Sequence, residues 1–523
     1  MTLPEPIATM SRPEFYAHRP ASVTVVQTHI SFVLLAGDHV FKLKKPVRFS
    51  FLDFSTLEAR RHFCHEEVRL NRRLAASAYH GVAAVCREGN TYRLGDENDP
   101  AAVEYAVHMR QLPDDRMLDA LLDHNAVTRE MIATVAKRLA EFHRDAETSA
   151  AITAQGEREA ILKVLEDNFA NARRFRGSIL SAADDDAIQS FIRAFFEAQA
   201  PLFRARQEAG RIRDCHGDLH TQHICFTDEL AIFDCIEFNP RFRYIDVASE
   251  VAFLAMDLEF HDQPQLSDHF VECYSVDAED PDLARLVPFY KCTRAYLRGQ
   301  VDSMKSAEEE VPANERAAAR AGAVRHFELA YRYAWAYARC VVAVTGLSGT
   351  GKSTIAAALH RRTGFMHISS DATRKRLPDI RQQAGTEGEY EAGLYAADVS
   401  ARTYAAMLDE AGERIAAGGG VIVDATYQRR ADRDALRALA KRFDVPVLFV
   451  ECRCSDETVR ARLAQRQRAG DQLSDADWNI YREQQRRYEP FLDQEERDHF
   501  VVSTEAPVAD VVQQIERRLR VSC

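Results

Sequence analysis

The chain has 523 residues, 46% of them hydrophobic and 28% charged, with a net charge of −12 at pH 7. That length exceeds what one core can hold and predicts about two to four domains, while the acidic balance argues against a dedicated nucleic-acid binder. No apolar run approaches the ~18 residues of a membrane span, MTLPEPIATMSRPEF lacks the basic flank and apolar core of a secretory signal, and the eleven cysteines form no CxxC pair. The sequence therefore reads as a cytoplasmic protein with reduced thiols, Cys452 and Cys454 among them.

In chain order, VTVVQT (23–28), SFVLLA (31–36) and HVFKL (39–43) are β-branched or aromatic runs that predict strands. Gly37-Asp38 predicts the hairpin turn between the last two, since Gly accepts the positive φ such turns need. Ser55 to Leu74 turns helical, with Ser55 as the expected cap and apolar positions at Leu57, Phe63, Val68, Leu70 and Leu74. VEYAVHMRQL (103–112) predicts another strand, and residues 117 to 208 are mostly helical. The loop CHGDLHTQHICF (215–226) follows, then two short strands around ICF and LAIFD, then helix to about residue 300.

SAEEEVPANERAAARA (306–321) is charged and alanine-rich, and predicts a linker entering a connecting helix through Ala338. The expected division is thus 1–305, 306–338 and 339–523. Beyond it, CVVAVT (340–345), FMHIS (365–369), GVIVDAT (420–426), PVLFVEC (446–452) and FVVST (500–504) alternate with helical stretches, the pattern of a parallel α/β sheet.

Between the first of these strands and its helix lies GLSGTGKST. Gly346, Gly351, Lys352 and Ser353 fit G-x-x-x-x-G-K-[ST] in full. Glycines let the backbone N–H groups of such a loop, here from Gly346 through Ser348, Gly349, Thr350 and Gly351 to Thr354, curl around phosphate oxygens at a helix N-terminus. Lys352 can reach the β- and γ-phosphates and the Ser353 hydroxyl can ligate Mg²⁺, so ATP and Mg²⁺ are the expected ligands. Asp424 ends an apolar strand, where a second metal-holding carboxylate would sit. Asp371 follows another strand, where a carboxylate could accept the proton of an attacking hydroxyl, with Arg374 one turn on to bind substrate or phosphate. Arg462 and Arg466 lie four apart, so one helix face can present both to a transferring phosphoryl group.

Together the phosphate loop, S-D-x-x-R-K, G-V-I-V-D-A-T and R-x-R-L-x-x-R…S-D-A resemble the small P-loop kinases, a group that includes gluconate kinase, zeta-toxin-like kinases and phage polynucleotide kinase. The resemblance covers about residues 340 to 523. It implies a P-loop parallel α/β sheet, Asp371 as base and a lid bearing Arg462 and Arg466.

The earlier loop carries a second signature. In H-x-D-x-x-x-x-N the Asp handles the acceptor hydroxyl, the Asn ligates Mg²⁺, and a second Asp at a nearby strand end bridges metal and phosphates. His216, Asp218 and Asp234 fit, but His223 stands where Asn is usual. A neutral imidazole ligates metals, yet Mg²⁺ prefers oxygen. HGDLH followed by IFDCIEFN resembles the aminoglycoside phosphotransferase-like kinases, over about residues 20 to 300. That resemblance implies a bilobal, protein-kinase-like α+β fold, with Lys42 or Lys44 on the phosphates and Glu67, or its neighbour Glu66, as ion-pair partner.

The sequence thus predicts a two-domain ATP-dependent kinase of a small molecule bearing a hydroxyl, with the chemistry mainly at the C-terminal loop. Two competing readings are a nucleotide-gated regulatory protein with a catalytically weak N-terminal domain, and a nucleic-acid end-processing enzyme. The acceptor and the oligomeric state are not legible.

Overall fold

The computed structural model describes residues 3–49, 51–377, 397–469, 477–492 and 497–522. The chain divides into two compact units, Met1–Ala330 and Tyr331–Cys523. No helix among the described residues is long and apolar enough to cross a membrane.

In the first unit, strands β1 (Thr24–Gln27), β2 (Ser31–Ala36), β3 (His39–Lys44), β4 (Tyr79–Glu88), β5 (Thr91–Gly95) and β6 (Ala102–Arg110) form one antiparallel sheet in the order β1-β2-β3-β6-β4-β5. Gly37, at φ 67°, makes the two-residue turn between β2 and β3. Side chains alternate across the pleat, so Phe41 and Leu43 pack with Leu34, Ile7 and Tyr16 on one face. Val40 packs with Cys64 and Val68 on the other, which points Lys42 and Lys44 toward helix α1 (Leu57–Asn71). The cap of α1 falls one residue later than the sequence predicts: the Thr56 hydroxyl accepts the Ala59 N–H at 3.1 Å, while the Ser55 side chain turns back to Asp53.

The helical remainder carries two short strand pairs. Strand β7 (Ile212–Asp214) pairs β10 (Tyr244–Asp246), and β8 (Ile224–Phe226) pairs β9 (Leu230–Ile232). Next comes α2 (Val247–Phe260), buried along its length from Val247 to Leu258. A helix apolar on every side belongs inside a core. Of the segment read as a linker entering a connecting helix, Ala313–Tyr333 is helix, so the helix begins inside the stretch 306–321. Its later half buries Ala323, Phe327 and Ala330, and Phe327 lies so close to Gly299 that a Cβ there would stand 2.8 Å from its ring.

The second unit holds a five-stranded parallel sheet. Strands β11 (Val341–Thr345), β12 (Met366–Ser369), β13 (Val421–Asp424), β14 (Val447–Arg453) and β15 (His499–Ser503) lie in the order β12-β13-β11-β14-β15. The central strand β11 is buried at every position, as expected of a strand covered on both faces.

In the first unit Arg206 is buried and forked between Asp246 (2.7 and 2.7 Å) and Asp280 (2.8 and 2.9 Å). Removing one member of such a cluster strands uncompensated charge. Arg206→Ala is therefore expected to lower stability by about 3–5 kcal/mol, read as a shift of the urea transition by circular dichroism.

Candidate functional site

The phosphate loop leaves the carboxyl end of β11 and enters α3 (Lys352–Thr363), whose N-cap is Gly351 at φ 91° and whose C-cap is Gly364 at φ 70°. Gly346 is required by close approach as well as by its φ of 137°: a Cβ would lie 2.7 Å from both the Cys452 carbonyl and the Thr350 hydroxyl. The loop is braced by its neighbours. Ser348 N–H donates to Gln484 Oε1 at 2.9 Å, and the Thr504 hydroxyl donates to the Thr350 carbonyl at 2.5 Å. Lys352, Ser353 and Thr354 form the first turn of α3, in continuity with the loop.

Register places the acidic residues around this loop. Asp424 pairs Val344 on one side and Ser369 on the other, so the ends of β11, β12 and β13 are level. The Asp424 carboxylate is buried, and neither oxygen has a hydrogen-bond partner among the described residues; His367 Nε2 stands 3.6 Å away. A buried carboxylate without a donor is costly, a cost that a bound Mg²⁺ would offset at this position. The residues present thus fit the expected ion, with Ser353 and Asp424 as its holders.

Asp371 lies in the first turn of α4 (Ser370–Arg376), directly after β12. It is not the helix cap. Its Oδ1 accepts from Arg374 Nη1 at 2.9 Å, so the expected base and the expected substrate-binding arginine form one ion pair. Arg462 and Arg466, on α5 (Asp456–Ala469), line a cavity of about 380 Å³ with Gly351, Thr354 and Thr504. Arg462 donates to Thr504 Oγ1 (3.0 Å) and to its carbonyl (2.7 Å), which ties it to the cavity wall. Ser474, Asp475 and Ala476 of the lid motif lie outside the described residues.

In the first unit the sequence left Lys42 and Lys44 as alternatives for one role. Both meet Glu67, which is buried: Lys42 Nζ is 2.9 Å from Oε1 and Lys44 Nζ 2.8 Å from Oε2. Lys42 also reaches Asp234 at 2.6 Å, whereas Lys44 pairs with Glu237. Burial opposes the charge on Glu67, but the two ammonium groups outweigh it and hold its carboxyl below the usual range. Glu66 faces the other way and pairs with Arg69. Lys42 is thus the lysine that joins Glu67 to Asp234, while Lys44 is a deeper strut. Asp234 stands two residues past the end of β9 at φ 62°, a strained backbone typical of functional positions. Two hydrogen bonds hold it: Asp234 N–H to the Tyr79 hydroxyl (3.3 Å) and Cys235 N–H to Asn71 Oδ1 (2.8 Å).

The loop of Asp218 hangs from α2. Glu250 accepts the N–H groups of His216 (3.0 Å) and Gly217 (2.6 Å) and bonds His143 Nε2 (2.8 Å), while Asp257 accepts both the N–H and the hydroxyl of Thr221. His216 Nε2–H donates to the Phe233 carbonyl at 2.8 Å and its Nδ1 accepts Asp218 N–H at 3.3 Å, which fixes its tautomer. His223 Nδ1 donates to the Asp218 carbonyl (2.8 Å), so its Nε2 lone pair faces Asp234 Oδ2 at 3.5 Å. Burial, with His220 next, pushes His223 down to about 4. A neutral imidazole nitrogen opposite a carboxylate can share a cation with it, and the ligand atoms of Asp218, His220 and His223 also lie within 4.8 Å of one another. The donor set is mixed nitrogen and oxygen, so it fits Mg²⁺ less well than an all-oxygen set would.

Glu237, His220, Glu250, Asp257, Gln484 and Thr504 were not singled out by sequence. Glu250 and Asp257 did leave a signal: two acids seven apart in the apolar text VASEVAFLAMDLEF, hence on one helix face.

Fold and site together define a protein with a P-loop nucleotide-binding domain, and residues 341–491 match the protein family described as AAA domain. The chain belongs to one family with uncharacterized proteins of Mycobacterium tuberculosis and Mycobacterium bovis, each 34% identical over 434 residues that cover 83% of this chain and 84% of the relative. Among solved structures, a gluconokinase from Sinorhizobium meliloti is 24% identical, covers 36% of this chain and 94% of its own, and has a TM-score of 0.28. A choline/ethanolamine kinase family protein from Mesorhizobium loti is 13% identical, covers 62% and 97%, and has a TM-score of 0.37.

The Glu250 bonds carry a pH dependence. Burial opposes its charge, but His143, His216 and the Gly217 N–H outweigh this and lower its carboxyl from 4.5 to about 2. A depressed carboxyl contributes stability that is present above about pH 4.5 and lost as pH falls through about 2, on the order of 3 kcal/mol. Glu250→Gln should remove that part of the acid dependence between pH 4.5 and 2. Hydrogen exchange of the His216 and Gly217 amides across the range would show it.

Proposed function

We propose that the protein is an ATP-dependent phosphotransferase acting on a hydroxyl of a small molecule, such as a sugar, aminosugar or antibiotic-like acceptor, with its chemistry mainly at the C-terminal loop. The carrying observation is Asp424, buried and without a hydrogen-bond partner among the described residues, level with Val344 and Ser369 at the carboxyl edge of the parallel sheet, two residues before Gly346 and Asp371. Ligands of open α/β sheets bind at that edge.

The loop N–H groups and Lys352 would hold the β- and γ-phosphates, and the cavity bounded by Gly351, Thr354, Arg462 and Thr504 has room for the base and ribose. Ser353 and Asp424 would hold Mg²⁺, which would supply neutralisation of the phosphate charge. Asp371, ion-paired with Arg374, takes the proton of the acceptor hydroxyl. The acceptor oxygen bonds the γ-phosphorus as the bond to the β–γ bridging oxygen breaks, and ADP leaves. Arg374 and Arg466 offset the charge on the moving phosphoryl group. A reduced, cytoplasmic setting agrees with the ten free thiols among the described residues.

For the N-terminal unit we propose an aminoglycoside phosphotransferase-like fold that binds nucleotide through Lys42 and Asp234, with Asp218 toward the acceptor. A second reading, a nucleotide-gated regulator with a catalytically weak N-terminal domain, is favoured by one observation, the imidazole of His223 in place of an oxygen ligand.

Lys352→Ala is expected to lower phosphoryl transfer from labelled ATP to a metabolite pool by about 10²–10³-fold, and Asp371→Asn by about 10²–10⁴-fold. Full transfer by Lys352→Ala would move the chemistry to the N-terminal unit. In the Lys352→Ala background, His223→Asn should raise Mg²⁺-dependent ATP turnover. No rise, together with nucleotide-dependent conformational change in the parent protein, would favour the regulatory reading.

A further inference from the structure

On the sheet face opposite Lys42 and Lys44, three imidazoles from three neighbouring strands converge. His39 is on β3, His108 on β6 and His80 on β4. The register shows how His80 joins the others. Tyr79 pairs Met109 and Gly81 pairs His108, so His80 is the extra residue of a β-bulge. A bulge re-aims the side chain it inserts. Arg72 on the C-terminal side of α1 clamps this bulge, donating to the Tyr79 carbonyl at 3.1 Å and to the His80 carbonyl at 2.7 Å.

One ring nitrogen from each histidine lies within 4.8 Å of the other two, and His39 Nδ1 is 2.9 Å from His108 Nε2. A tetrahedral ion with metal–nitrogen bonds of about 2.0–2.1 Å holds its ligand atoms roughly 3.3 Å apart, a spacing that small ring rotations reach from here. His18 lies beside His39, with ring centroids 4.6 Å apart and the rings tilted by 53°, and its Nε2–H donates to the Ala36 carbonyl at 2.8 Å. Burial and the facing histidines push His108 down to about 4, and burial also lowers His80. The three imidazoles form a donor set of nitrogens with no carboxylate among them, and an ion bound there would displace the proton of the hydrogen bond that His39 Nδ1 and His108 Nε2 share. That donor set selects Zn²⁺, Co²⁺, Ni²⁺ or Cu²⁺ over Mg²⁺ or Ca²⁺.

We propose that His39, His80 and His108 bind one divalent transition-metal ion of the Zn²⁺ class, at a site that uses no residue of either phosphate-handling loop. Three protein ligands with His80 exposed on the rim leave a fourth position open to water or a small anion. Such an ion ties β3, β4 and β6 together, and β3 carries Lys42 and Lys44 on its reverse face.

The test uses the full chain without an affinity tag, stripped by chelator, then titrated with Co²⁺ and followed by visible ligand-field absorption. Zn²⁺ retained after dialysis is counted in parallel. The wild type should take up Co²⁺ with a tetrahedral or five-coordinate spectrum, and Zn²⁺ should raise its melting temperature. His80→Gln, at a rim position outside the core, should weaken Co²⁺ binding by more than about tenfold and abolish the Zn²⁺-dependent rise. His108→Gln should do the same provided its circular dichroism is unchanged. A His220→Gln/His223→Gln variant should keep the signal. Undiminished binding in His80→Gln, loss of the signal only in the His220/His223 variant, or no uptake by the wild type would each overturn the proposal.

Discussion

A carboxylate removed from water needs a cation or N–H donors close by, and that requirement organises both units. Glu67 meets it with Lys42 and Lys44, one on each oxygen. Glu250 meets it with two backbone N–H groups and His143, and so shapes the loop that carries Asp218. Asp424 is as deeply buried but has no hydrogen-bond donor among the described residues. Glu67 and Glu250 are paired within the first unit and act as struts. Asp424 is the carboxylate that a bound ion would complete, which is why the proposed chemistry centres on the parallel sheet.

The two units reach their sites by different geometries. In the second, parallel pairing brings strand ends level, so residues separated by tens of positions arrive at one edge through register alone. In the first, the site is assembled by struts between elements: Asn71 at the end of α1 holds Cys235, Tyr79 holds Asp234, and Phe233 holds His216. Asp234 keeps a left-handed backbone in the middle of these contacts. Strain of that kind persists only where the surroundings over-determine it.

The C-terminal pattern was legible because its signals are local. A phosphate loop needs glycines at fixed offsets between a strand and a helix, and Gly346, Gly351 and Gly364 stand in the sequence where the structure uses positive φ. Asp371 could be placed after its strand, but its pairing with Arg374 and the fixing of Arg462 by Thr504 could not be seen. The cap at Thr56 rather than Ser55 is a similar case, since adjacent hydroxyls compete and only the turn at Asp53 decides.

By itself the sequence determined the first hairpin and its following helix, the parallel class of the second unit, the phosphate loop and the identity of the acids at the strand ends, because each follows from periodicity or from residue chemistry at short range, whereas the strands Tyr79–Glu88 and Thr91–Gly95 were not read from it. Only the tertiary structure decided which lysine reaches Asp234, that Glu250 and Asp257 suspend the loop, and that a bulge swings His80 toward His39 and His108. Those outcomes depend on which strands become neighbours and in what register. That choice is set by how two faces of a sheet share the burial of distant side chains, a balance that no short window of sequence contains.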